Sequence, residues 1–409
     1  MRAALAALAA LALPLLAAQA ALAEGRSLTG SVAYRERIAL APGAELAIEV
    51  RDASGAIVAE ARTEAGDAQV PLPFSLEAPE GALTLRAALV AGGRPLWVGG
   101  PVPVAEGTAA TDLGTVALTR VAALDFPVVW RCADDIRFAV SPAGEGLRLR
   151  HGGSFADLLP VAAASGAKYE AAGDPATWAW SKGNRMSFAM AGATHADCVL
   201  AIDGSTAAFV ARGNEPGWRL TIDNGDATIE GMNIATPIMG RTAAPQIAGA
   251  ERTYAVEGSD ARATVEDRLA RDDMTGMPAP AAVTLVLGGT AMKGTGGDPA
   301  ALLQGVLWKA TEVAGSPVPA GMEVTLQFLD GGRVAGRSAC NRYFGGFTLS
   351  GEGLALGQLG GTMMACGEAE MAMEQAFLKA LAGVTRFDFD EGGALALYAG
   401  DSVAARFAP

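Results

Sequence analysis

The chain has 409 residues, 51% of them hydrophobic, and a formal net charge of −13 at pH 7. That length and apolar content fit two to four domains with ordinary folded cores and exclude disorder as the default state. The negative charge is spread over the whole chain, which argues against nucleic acid and anionic membrane as partners and fits equally an encounter with a cationic protein and the plain solubility of an exported chain.

Residues 1–23 hold one positive residue, Arg2, then a long apolar run ending in the small-x-small site Ala21-Leu22-Ala23. This reads as a secretory signal peptide cut after Ala23. No cysteine follows the run, so a lipobox is missing and the expectation is a periplasmic protein without a lipid. No later segment has the roughly 20 apolar residues of a membrane span. Four cysteines, Cys132, Cys198, Cys340 and Cys366, favour two disulfides in an exported chain, and sequence alone leaves three connectivities open.

From Leu28 to Val121 short alternating runs are separated by Pro-Gly, Ser-Gly and Gly-Gly turns, the signature of a β-sandwich. Gly30 to Arg35, Pro42-Gly43-Ala44 and Pro71-Leu72-Pro73-Phe74 resemble the YbaY/YscW family of envelope lipoproteins. The resemblance spans residues 24–121, carries no catalytic motif, and implies a binding or scaffold role.

Ser165-Gly166-Ala167-Lys168-Tyr169 precedes Trp180-Ser181-Lys182-Gly183-Asn184, with Gly173-Asp174-Pro175 between them. Aromatics at Tyr169, Trp178 and Trp180 around a turn signal predict a hairpin. A turn centred between Gly173 and Asp174 sets Tyr169 opposite Trp178 and Ser165 opposite Lys182, with Cβ atoms roughly 4.5–5.5 Å apart. Over residues 124–205 the chain resembles the MliC/PliC family of periplasmic inhibitors of c-type lysozyme, whose paired motifs are Ser-Gly-x-x-Tyr and Trp-x-Lys-Gly. The resemblance implies a small antiparallel β-barrel, a Cys132–Cys198 disulfide, and a lysozyme-binding set of Ser165, Gly166, Tyr169, Lys182 and Gly183. In it, Ser165 and Lys182 would enter the lysozyme cleft and meet catalytic carboxylates, which a retaining glycosidase keeps roughly 5–5.5 Å apart. Family members often carry Gly-Asp-Glu after the lysine where this chain has Gly183-Asn184-Arg185. Asn184 keeps the turn chemistry, whereas Arg185 offers a positive charge to a cationic target.

Residues 206–300 hold Gly213 to Trp218, strand-like runs and Gly294 to Pro299, and resemble an uncharacterised family of envelope proteins. The glycines are not a phosphate loop, because no Gly-Lys-Ser/Thr follows them. Residues 301–409 resemble the META/HslJ family through Trp308, Cys340-Asn341-Arg342-Tyr343 and Thr362-Met363-Met364-Ala365-Cys366. This implies an α+β domain with a Cys340–Cys366 disulfide. Met373, Ala376, Phe377, Ala380 and Leu381 recur at helical spacing, a core-facing stripe.

Only two histidines are present, and a zinc site would need thiolates better used in disulfides. No nucleophile elbow or Cys and His pair stands out. The sequence therefore reads as a mostly β, multidomain, non-enzymatic protein with no cofactor or metal. It is expected to inhibit c-type lysozyme; the alternative is a non-catalytic envelope scaffold or stress protein recognising other envelope proteins.

Overall fold

Leu72, Phe74, Leu76 and Ala78 are buried while Pro73, Ser75 and Glu77 are exposed, the period-2 pattern of a strand with one face on a core. The computed structural model describes residues 25–190 and 192–409, so the signal-peptide segment lies outside the described residues. Strand Leu72–Ala78 pairs with Arg26–Ala33, which pairs in parallel with Thr111–Ala117. This three-stranded sheet faces a five-stranded one made of Ile57–Glu64, Glu45–Asp52, Leu83–Ala91, Arg94–Val104 and Thr119–Arg120. Leu28, Val32, Leu46, Ile48, Val50, Phe74, Leu85 and Trp97 fill the space between them, which makes the expected sandwich.

The strand Glu45–Asp52 is buried on both faces. Leu46, Ile48 and Val50 serve the sandwich, while Ala47, with Ala88 and Val90 beside it, joins the core of the next module. Glu45, Glu49 and Arg51 share that second face and are nearly inaccessible. The two carboxylates are matched by cations: Arg62 lies 3.2 Å from Glu45, and Arg51 lies 3.0 Å from Glu49.

Eight antiparallel strands form a closed barrel in the order Arg137–Ala143, Gly146–His151, Ser154–Val161, Ala167–Ala171, Asp174–Lys182, Arg185–Met190, Ala193–Leu200 and Val128–Arg131. Closure leaves no open edge. Leu200 pairs with Trp130 at the seam, and the Cys132–Cys198 disulfide ties the same two strand ends. Trp130, Phe138, Leu149, Leu158, Ala179 and Phe188 fill the interior.

A nine-stranded sheet follows, running from Phe209–Asn214 to Thr290–Gly296. The segment that leads into the barrel is anchored here: Phe126 stacks on Phe209 and Tyr254, and the Tyr254 hydroxyl donates to the Leu124 carbonyl at 2.6 Å. The C-terminal module is a twisted sheet of Trp308–Val313, Thr325–Leu329, Arg333–Arg337, Arg342–Leu349, Leu395–Ala399, Ser402–Ala408 and shorter strands, crossed by helix Glu368–Ala382. Phe377 and Leu381 are fully buried, and Met373, Ala376 and Ala380 pack beside them, so the helical stripe faces the core. The bend leading into strand Arg333–Arg337 is confined to Gly331 and Gly332, both at positive φ.

All four modules meet at the barrel. Gly152 and Gly153 admit Trp308 and Phe389 of the C-terminal module. Asp330 of that module lies 2.8 Å from Arg137 of the barrel and 3.1 Å from Arg51 of the sandwich. Asp267 of the nine-stranded sheet accepts from Ser141 of the barrel and from Arg252.

Candidate functional site

One end of the barrel is built by strand Ala167–Ala171, strand Asp174–Lys182 and the turn into Arg185–Met190. Their pairing differs from the sequence expectation by one residue. Tyr169 pairs with Ala179 and Glu170 with Trp178, so Gly166 rather than Ser165 falls level with Lys182. The reason is local. The turn is Ala172-Gly173, Ala171 pairs with Asp174, and Pro175, Ala176 and Thr177 bulge out of the ladder. Proline has no N–H to give to a ladder. Asp174 closes the bulge by accepting from the Ala176 amide at 3.1 Å and the Thr177 hydroxyl at 2.6 Å.

The shift decides which side chains share a face. Thr177 and Ala179 point into the barrel and are buried, and Tyr169, opposite Ala179, packs against the same core. Tyr169 thus lies beneath the site and supports it. Trp178, Trp180 and Lys182 take the outer face by alternation. Lys168 and Glu170 stand opposite the two tryptophans.

Ser165 is exposed just before its strand, and Lys182 is exposed at the end of its own. Trp180 connects them. Its indole Nε1 donates to the Ser165 carbonyl at 2.8 Å, and the Lys182 ammonium sits 4.1 Å from its ring centroid. Gly166 is demanded by this arrangement: φ is +70°, and a Cβ there would come within 2.0 Å of the Ser181 carbonyl oxygen. Gly183 takes the positive-φ position of the two-residue turn that joins Lys182 to Arg185.

Charge is distributed unevenly over this end. The Lys168 ammonium is matched by Glu170 at 2.6 Å, and the Arg185 guanidinium by Glu45 of the sandwich at 2.8 Å. Among the described residues no carboxylate engages Lys182, and the Ser165 hydroxyl makes no hydrogen bond. The end therefore offers one unmatched cation and one free hydroxyl.

Sequence reading did not find the sandwich contacts. Asn184 is not in the left-handed region; its Nδ2 donates to the Gly43 carbonyl at 2.8 Å, and its Oδ1 accepts from the Gly93 amide at 3.3 Å. The charge of Arg185 is absorbed within the molecule. No local signal marks these pairs, since the partners are separated by 91 to 141 residues.

The remaining singled-out residues are structural. Cys340 and Cys366 are bonded. Asn341 donates to Glu374 at 3.1 Å and accepts from Thr362 at 2.7 Å and from the Met364 amide at 2.8 Å, so its amide is committed to holding the loop. His151 is buried, stacks on Phe138 at 4.5 Å, and pairs through Nδ1 with the Arg137 carbonyl at 2.9 Å. Burial lowers its pKa to about 4. Among the described residues no group of three or more His, Cys, Asp or Glu is placed to hold a metal, and no helix is long and apolar enough to cross a membrane.

These features define a class: a mostly β, multidomain protein whose closed, disulfide-tied barrel presents a serine and a lysine at one end. The sequence matches three families in succession. Residues 23–102 match the type III secretion system lipoprotein chaperone family (YscW), residues 130–197 the family of membrane-bound lysozyme-inhibitor of c-type lysozyme (MliC), and residues 301–409 the META domain. The chain thus carries a YscW-type, an MliC-type and a META segment in that order.

No curated protein matches the chain. Among solved structures, an alternative pilotin from the type II secretion system of Vibrio cholerae is 24% identical over 24% of this chain and 98% of its own, with a TM-score of 0.21. A protein from Burkholderia xenovorans, solved by NMR, is 30% identical over 27% of this chain and 86% of its own, with a TM-score of 0.22.

Proposed function

We propose that this is a periplasmic, non-catalytic inhibitor of c-type lysozyme that acts through its barrel, with Ser165 and Lys182 entering the lysozyme cleft. The proposed layout is a sandwich at 24–121, the inhibitor barrel at 124–205, a β-rich domain at 206–300 and a META-like domain at 301–409. The observation that carries the reading is the Trp180 link, which holds an uncommitted hydroxyl residue and an unmatched ammonium side by side on one exposed barrel end. A cation and a hydroxyl donor on one exposed barrel end suit the paired carboxyl groups of a retaining glycosidase. Gly166 and Gly183 shape the two turns, and Tyr169 supports them from inside the barrel.

The test is a dissociation constant for Lys182→Ala against a c-type lysozyme. Truncating one partner of a buried charge pair typically costs about 2–5 kcal/mol, so binding should weaken by roughly 30-fold or more. A folded variant that binds within about threefold of the parent overturns the proposal. A second reading, an envelope scaffold, is favoured by one observation: Phe344 is 65% and Met363 99% exposed on the META segment, with Met364 and Met371 also exposed. Exposed apolar patches mark protein contacts. The parent chain in the same assay decides, because a scaffold for other envelope proteins would not bind lysozyme.

A further inference from the structure

The turn bearing Lys182 is not free in solution. It consists of Gly183 and Asn184 between the paired residues Lys182 and Arg185, and both residues that follow Gly183 are held by the N-terminal sandwich. Asn184 spans the Gly43 carbonyl and the Gly93 amide. Arg185 reaches Glu45 Oε2 at 2.8 Å, while Glu45 Oε1 lies 3.2 Å from Arg62. Both oxygens of Glu45 are thereby committed, and its side chain is only 5% exposed, so the carboxylate is a fixed anchor. Gly93 is wedged against the barrel seam: its φ is +72°, and a Cβ there would meet the Trp130 ring at 2.8 Å.

We propose that the N-terminal sandwich is a positioning device for the inhibitory turn. Glu45 acts through Arg185, and Gly43 and Gly93 act through Asn184, to present Lys182 in one direction. The inference deepens the lysozyme-inhibitor reading and rests on it for its functional half. Two effects follow from elementary physics. A hairpin tip tied only by its own ladder opens readily, whereas a tip tied to a second module is preorganised and loses less freedom on binding. In addition, Glu45 neutralises Arg185, so an approaching cationic protein meets one unmatched positive side chain at the tip rather than two. The chain thus tolerates an arginine beside its lysine because a residue 140 positions earlier answers it.

The experiment uses the mature full-length chain and two variants, Asn184→Ala and Glu45→Gln. Amide hydrogen exchange is followed without lysozyme in peptides covering residues 178–190, with residues 146–158 as an internal control. Association and dissociation rates with a c-type lysozyme are then measured. Exchange at the tip should rise at least threefold in both variants while the control peptide is unchanged. Apparent affinity should fall about five- to tenfold, mainly through slower association, because only the fraction of molecules with the tip in place is competent. If Glu45→Gln disturbs the fold, as the Arg62 contact allows, Asn184→Ala alone carries the test. Unchanged tip exchange in Asn184→Ala overturns the proposal whatever lysozyme does. Raised exchange with unaltered lysozyme kinetics overturns it too. If the parent itself does not bind lysozyme, the inhibitor reading fails, and the exchange result still decides whether the sandwich holds the turn.

Discussion

The Lys182 ammonium lies over the face of Trp180, 4.1 Å from the ring centroid, and the edge of the same ring donates a hydrogen bond to Ser165. One indole therefore fixes the relative position of a residue just before one strand and a residue at the end of the neighbouring one. A cation over an exposed aromatic face contributes about 0.5–1 kcal/mol and a neutral hydrogen bond about 0.5–1.5 kcal/mol. Trp180→Phe keeps the ring face and loses the donor, so lysozyme affinity should fall about fivefold. Trp180→Ala loses both and should cost about tenfold or more. Titration calorimetry of the two variants checks the order; unchanged affinity in Trp180→Phe would mean that the Ser165 link has no part in binding, and equal losses in the two variants that the ring face has none.

The two disulfides close loops of different length, with sequence separations of 66 and 26. Chain-entropy arguments give roughly 4 kcal/mol for the first and roughly 3.5 kcal/mol for the second. The first ties the barrel seam and the second a loop of the META segment. Replacing Cys132 and Cys198 by alanine should therefore lower both barrel stability and inhibition. Replacing Cys340 and Cys366 should lower stability and leave inhibition intact. Denaturation curves and an inhibition assay on the same samples separate the two effects.

Acid should loosen the barrel through His151. Burial lowers its pKa to about 4 in the folded protein, against an ordinary value of 6.5, with Arg150 and His195 adding to the effect and the Arg137 carbonyl opposing it. Between those values the unfolded chain binds the proton and the folded one does not. Stability is therefore full above pH 6.5 and falls as the pH drops toward 4, by on the order of 3 kcal/mol. His195 shifts in the same direction through burial. Melting curves across this range should show the slope in the parent and a flatter profile in His151→Phe, which keeps the stack on Phe138.

Asp330 joins three modules. Burial would raise its pKa, but the hydrogen bonds and charges of Arg137 and Arg51 outweigh that and hold its carboxyl below the usual range. Removing it leaves two largely inaccessible guanidinium groups with their nearest remaining carboxylates, Glu49 for Arg51 and Asp135 for Arg137, a loss below the roughly 3–5 kcal/mol of a buried charge left wholly unpaired. Asp330→Ala should lower the melting temperature sharply. Asp226→Ala breaks a pair whose side chains are 56% and 71% exposed, and exposed pairs contribute little. Thermal denaturation of both variants provides the comparison.

Periodicity and turn chemistry sufficed for the mostly β architecture and the helix of Met373 to Leu381, because alternation and helical spacing are local properties of the chain; the order of the family-like segments came from resemblance of their motifs to known families. Gly166 and Gly183 entered through the family motifs, and both take positive φ, +70° and +58°, in the turns of this barrel end. The register was not legible. It turned on a bulge at Pro175, and a bulge is settled by which carboxylate and amide groups close it, here Asp174 with Ala176 and Thr177. Glu45, Glu49 and Arg51 show the larger limit. Their alternation with Leu46, Ile48 and Val50 reads as a solvent-facing strand side, yet the barrel covers that side and the charges are matched both within the sandwich and across to the barrel. Alternation reports that two faces differ and carries no information about what will lie against the polar one. Arg185, which the sequence presents as an unwelcome charge, becomes a clasp only when folding brings Glu45 within 2.8 Å of it.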